Sequence, residues 1–113
     1  MIKYVFVLLI KFKEKIWYFS NRFRFKSIQK NSFINSPLKI TPFCISLGKN
    51  VRIFKNCRIE GVVKYNKINF NPHIQIENNV SIQQNLHLTC ANSIVIGENT
   101  AIASNVTITD IVI

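Results

Sequence analysis

The sequence predicts an all-β chain: a parallel β-helix of about three coils behind an N-terminal amphipathic helix. Three observations predict it. From residue 45 onward, nine three-residue pieces alternate apolar, variable, apolar: ISL, VRI, CRI, IQI, VSI, LHL, IVI, TAI and VTI. Six three-residue corners between them all end in Asn: Asn50, Asn56, Asn79, Asn85, Asn99 and Asn105. After every third piece the rhythm breaks, at residues 60–73, at 89–93 and at 109–110.

Each piece reads as a short strand that buries two side chains and exposes one, because a strand alternates its faces. Of the eighteen end positions seventeen are apolar, counting Cys57; Thr100 is the exception. Asn enters the left-handed backbone region more readily than other non-glycine residues, so a shared terminal Asn marks one repeated bend. Three strands and three corners make one triangular turn. Stacked turns would align Ile45/Ile74/Ile94, Leu47/Ile76/Ile96, Ile53/Ile82/Ile102 and Ile59/Leu88/Ile108 as apolar columns. The outward positions are Ser46, Arg52, Arg58, Gln75, Ser81, His87, Val95, Ala101 and Thr107. Hairpins would want Asn-Gly or Asp-Gly turns and longer strands, and amphipathic helices would show a 3.6-residue period.

The chain opens differently. Val5, Leu9, Phe12, Ile16 and Phe19 recur at steps of four and three, which is helical spacing. Packing on protein is the expected use of that stripe, and contact with a membrane surface is the alternative. The longest apolar run, residues 4–10, is far short of the roughly 20 residues of a spanning helix. No small-residue cleavage site follows it. Residues 20–43 show no sustained period and carry Pro37 and Pro42, so they read as a connector with at most one short strand. The division is thus 1–44, basic helix and connector, and 45–113, repeats.

Charge is distributed as unevenly as structure. All fifteen Lys and Arg precede residue 68, against only Glu14 and Glu60; residues 68–113 carry Glu77, Glu98 and Asp110. A basic surface of this kind attracts anionic lipid, nucleic acid or phosphorylated small molecules, or is simply solvated. The alternation Arg22-Phe23-Arg24-Phe25 is too short to specify nucleic acid, which is not an expected partner. Cys44, Cys57 and Cys90 are odd in number and widely spaced, and neither His73 nor His87 clusters with them. No disulfide framework and no metal site are indicated, and unpaired thiols fit a reducing compartment.

The stretch NNVSIQQNLHLTCANSIVIGENTAIASNVTITD, with Leu47-Gly48 and Ile96-Gly97, resembles the hexapeptide-repeat acyltransferases. Within them it is most similar to the O-acetyltransferases of bacterial surface polysaccharides. The resemblance covers residues 45–110. It implies a left-handed parallel β-helix, a homotrimer, and acetyl-CoA lying between subunits as acyl donor without a metal. It implies a cytoplasmic protein, with peripheral contact on the inner membrane face as an alternative. The acceptor would be a sugar or lipid-linked sugar hydroxyl.

In that family a loop histidine takes the hydroxyl proton while the hydroxyl attacks the thioester, chemistry that suits imidazole. Asp110 matches the Asp before that histidine, but Ile111 follows it here. The resemblance therefore implies a truncated, inactive form, because the tail Asp110-Ile111-Val112-Ile113 is apolar and caps nothing. Two further residues are substrate-contact candidates. His87 faces outward beside Arg58 and Thr107, with an exposed or interface histidine as the plainer reading. Asn92 occupies the corner one turn before Asp110, with a turn-forming Asn as the plainer reading. Cys90 has no histidine adjacent in sequence, so a nucleophilic role is not expected, and His73 is expected to be structural. A non-catalytic β-helix used for assembly or binding is one alternative function, and a basic membrane or nucleic-acid binding module centred on residues 1–67 is the other.

Overall fold

Residues 2–111 are described in the structure, a computed structural model; Val112 and Ile113 of the apolar tail lie outside the described residues. The chain begins with α1 (Ile2–Asn21). It then makes four circuits, visiting three parallel sheets in turn on each. The first circuit is β1 (Ser27–Ile28), β2 (Phe33–Ile34) and β3 (Lys39–Ile40). The second is β4 (Ile45–Leu47), β5 (Arg52–Ile53) and β6 (Arg58–Gly61). An antiparallel hairpin of β7 (Lys64–Tyr65) and β8 (Ile68–Asn69) follows. The third circuit is β9 (His73–Ile76), β10 (Ser81–Ile82) and β11 (His87–Cys90). The fourth is β12 (Ser93–Ile96), β13 (Ala101–Ile102) and β14 (Thr107–Thr109). Equivalent strands of successive circuits are hydrogen-bonded neighbours, in the orders β1-β4-β9-β12, β2-β5-β10-β13 and β3-β6-β11-β14.

The core is the set of apolar columns. Register pairs Ile45 with Ile74 and Ile74 with Ile94, Ile53 with Ile82 and Ile82 with Ile102, Ile59 with Leu88 and Leu88 with Ile108. The middle circuits bury these side chains completely: Ile45, Ile59, Ile76, Ile82 and Leu88 are 0% exposed. In the last circuit Ile102, Val106 and Ile108 are only half-buried, and among the described residues nothing stacks on them.

Every one of the six corner asparagines has positive φ, between 58° and 65°. In this backbone state their N–H groups bond carbonyls of the circuit before. Asn79 donates to the Lys49 carbonyl at 2.8 Å and Asn99 to the Asn78 carbonyl at 3.0 Å. Their side chains also meet along the stack: the Asn50 amide donates to Asn79 Oδ1 at 3.2 Å, and Asn85 to Asn105 Oδ1 at 3.1 Å.

Two sequence expectations are corrected. Residues 27–40, expected as a connector with at most one strand, form a complete circuit, so the count rises from about three to four. Its corners are Asn31 and Ser36, with φ of 65° and 41°. Ile28, Ile34 and Ile40 extend the columns below Leu47, Ile53 and Ile59. The circuit eluded the periodic reading although Ile28, Ile34 and Ile40 keep the six-residue spacing, because the positions two residues before them hold Lys26, Ser32 and Leu38 rather than a uniform apolar set, and the 3-10 turn (Pro42–Cys44) shifts the count by one residue before Leu47. The hairpin inside residues 60–73 also lacked a glycine signal; Asn66 and Lys67 supply the two positive φ values its tight turn needs.

The second correction concerns α1. The expected packing stripe of Val5, Leu9, Phe12, Ile16 and Phe19 is exposed along its length. The opposite side grips the β-body instead. Trp17 packs edge-on against Phe25 and Phe33, with ring centroids 5.8 and 5.5 Å away. Glu14 reaches Arg52 at 2.7 Å. Asn21 closes the helix by donating to the Trp17 carbonyl at 2.8 Å. A large indole outweighs the aliphatic stripe here because it fills the space over Phe25 at the end of the column stack.

Candidate functional site

The excursions leave the stack between the third and first sheets, and that corner gathers the polar chemistry. In the third circuit β11 ends at Cys90 and β12 starts at Ser93, so the chain turns through Ala91 and Asn92. One circuit on, Asp110 follows β14, its N–H donating to the Thr89 carbonyl at 3.4 Å. This stacking aims the Asp110 carboxylate back onto the turn below. Oδ1 accepts the Ala91 N–H at 2.6 Å; Oδ2 accepts the Asn92 and Ser93 N–H groups, both at 2.9 Å. The Cys90 thiol is 3.7 Å from Oδ2.

Loss of water around Asp110 pushes its pKa up, but the three N–H donors and the thiol together outweigh that and hold it below the ordinary value. The carboxylate is therefore a charged anchor for the 91–93 turn and a weak base at neutral pH. Cys90 is driven the other way. Burial, and next the Asp110 charge, push its thiol up to about 11. It donates to the His73 carbonyl at 3.4 Å and is fully buried. A thiol in that state is no nucleophile.

The rest of the corner is built from smaller pieces. Gly61 pairs in register with Cys90. A Cβ on it would lie 2.5 Å from Cys44 Sγ and 2.9 Å from Pro72, so this position requires glycine for space. His73 starts β9, pairs with Ser93, and its N–H donates to the Asn92 carbonyl at 2.9 Å. Its ring Nδ1 lies 2.7 Å from Lys26 Nζ, which places the imidazole lone pair toward the ammonium.

The three residues nominated from the sequence do not converge. Asn92 meets Asp110 through its backbone, with its side chain exposed. His87 is exposed between Arg58 and Thr107, as its register position requires. Asp110 lies three residues beyond Thr107, about 10 Å along the strand. Lys26 and His73, which were not among the three, do meet at this corner. The signal for Lys26 was the six-residue spacing of Ile28, Ile34 and Ile40, which makes residues 26–28 the first piece; a lysine at its normally apolar leading position hid it.

Among the described residues no group of three or more His, Cys, Asp or Glu side chains converges as a metal site. No described helix is long and apolar enough to cross a membrane. No family model, no curated protein and no solved structure matches the chain.

Proposed function

We propose that this chain is a left-handed parallel β-helix of the hexapeptide-repeat acyltransferase type. In this reading it is a homotrimeric relative of the enzymes that acetylate bacterial surface polysaccharides, and it does not itself turn over acetyl-CoA. Four parallel circuits with left-handed Asn corners support the scaffold. One observation carries the functional half. Asp110 is held by three backbone N–H groups at the corner of the excursions, where the resemblance expects an Asp leading into a catalytic histidine, and Ile111 follows it.

The chemistry explains the predicted inactivity. A sugar hydroxyl attacking the acetyl thioester needs a base with a pKa near neutrality. The Asp110 carboxylate is too acidic for that, and His87 is about 10 Å away along the strand. Acetyl-CoA would thus find no base in Asp110 or His87. The alternative is a non-catalytic assembly protein that does not bind the donor.

Light scattering and equilibrium dialysis with acetyl-CoA test both, with thiol release measured in the presence of sugar acceptors. A trimer that binds acetyl-CoA without releasing thiol supports the proposal. A trimer that ignores acetyl-CoA selects the assembly reading. Acceptor-dependent thiol release overturns the claim of inactivity, and a monomer without donor affinity removes the family reading altogether.

A further inference from the structure

The outward side of α1 has no use within the β-body, and its chemistry specifies what covers it. At 3.6 residues per turn, Val5, Leu9, Phe12, Ile16 and Phe19 fall on the side opposite Glu14, Trp17 and Asn21, which face the body. The body therefore presents the stripe outward. Further toward the N-terminus the apolar surface widens. Residues 4–10 are uninterrupted apolar side chains, exposed by 48–71%, and they cover the helix on all sides.

Charge surrounds this surface with one sign. Lys13 and Lys15 border the stripe on its two sides, and Lys11 lies beyond Lys15. Arg22 and Arg24 follow the helix. Glu14, the one acidic residue of the helix, is occupied by Arg52.

From this surface we infer that α1 is a membrane-surface anchor for bilayers containing anionic phospholipid. The apolar first turns enter the acyl boundary, and the lysines and arginines stay at the headgroups. A helix of this kind lies along the interface with its apolar side buried about 5–10 Å. A second copy is a poorer occupant. Its helix would cover one side of residues 4–10 and leave the others in water, and it would bring lysines near lysines with no free acid between them. Lipid covers all sides at once and supplies the opposite charge. The inference is independent of the acyltransferase reading, since it uses no residue of the Asp110 corner.

Flotation of the whole chain with vesicles tests it, using phosphatidylcholine alone and phosphatidylcholine mixed with phosphatidylglycerol. The expected result is binding to the mixed vesicles that weakens as salt rises. Replacing Lys11, Lys13 and Lys15 by Gln should weaken it roughly a hundredfold, at about fivefold per lysine. Leu9→Asp with Phe12→Asp should abolish it while the β-sheet circular dichroism stays unchanged. Failure of the unaltered, folded chain to float with anionic vesicles overturns the inference without recourse to any variant. Equal binding by the Leu9→Asp/Phe12→Asp chain overturns it as well, since the apolar stripe would then be unused. If those substitutions instead dissociate an oligomer that never floats, the stripe belongs to a second copy and the inference is overturned.

Discussion

Asp110 shows how one side chain fixes the geometry of a corner. Its carboxylate accepts three backbone N–H groups of the turn below it. In Asp110→Asn an amide NH2 would face N–H donors, leaving at least one unsatisfied. A loss of about 1–3 kcal/mol is expected, read by urea denaturation. The pH dependence follows from the depressed pKa. The folded state holds this carboxylate more acidic than the unfolded chain does. Its stabilisation is therefore complete above the ordinary carboxylate range and is lost as pH falls through the folded value. Below about pH 4 the stability difference between wild type and Asp110→Asn should shrink. A constant difference down to about pH 2 would show that the charge is not what holds the turn.

The corner asparagines make a second prediction at this scale. Asn79 sits at φ 59°. Alanine there should cost about 1–2 kcal/mol, because it keeps the Cβ that crowds the carbonyl in the left-handed region and loses the polar side chain that offsets this in Asn. Glycine avoids that clash and should cost less than about 1 kcal/mol. If Ala and Gly prove equivalent in denaturant titrations, the side-chain bond to Asn50 matters more than the backbone state.

Among the elements, a strand's worth depends on its place in the stack. Each strand has only two to four residues and buries its apolar ends against the circuits on either side. Ile76, between two circuits, is 0% exposed, whereas Ile102 in the last described circuit is half-buried. Ile76→Ala should cost about 2–5 kcal/mol and Ile102→Ala roughly half of that, because less surface and a smaller cavity are involved. Thermal melts of the two variants compare them directly. α1 obeys a different rule. Its attachment depends on Trp17 and on the partly exposed Glu14–Arg52 pair, which contributes at most about 1 kcal/mol. Trp17→Ala should leave the helix helical only where another surface, such as lipid, supports it; circular dichroism with and without vesicles measures this.

Across the whole molecule, the three thiols report on cooperativity. Cys44, Cys57 and Cys90 are free and buried, and burial raises the pKa of each. Thiol reagents at neutral pH should label none of them in the native state. If the stack opens as one unit, all three should become reactive together in a denaturant series followed by mass spectrometry. Stepwise labelling would mean that circuits open singly, as weakly coupled repeats do.

The repeat itself is legible in the sequence. Its columns and Asn corners depend on local rules, the alternation of a strand and the tolerance of Asn for positive φ, and these are written residue by residue. The stacking of Ile45 with Ile74, and of Leu88 between Ile59 and Ile108, followed from spacing alone. Three other matters depended on long-range packing. Residues 27–40 became a circuit because Ile28, Ile34 and Ile40 find columns to join, so one apolar end per strand suffices once the stack is there. Asp110 became an anchor because the stack sets it over the 91–93 turn, a contact across 17 to 19 positions of sequence. The stripe of α1 was legible as apolar, but its direction was not. A helix with apolar residues on more than one side is oriented by whichever side fits its neighbour best, and here Trp17 over Phe25 and Phe33 turned the stripe outward. Periodicity gives the faces of an element, and packing chooses which face is buried.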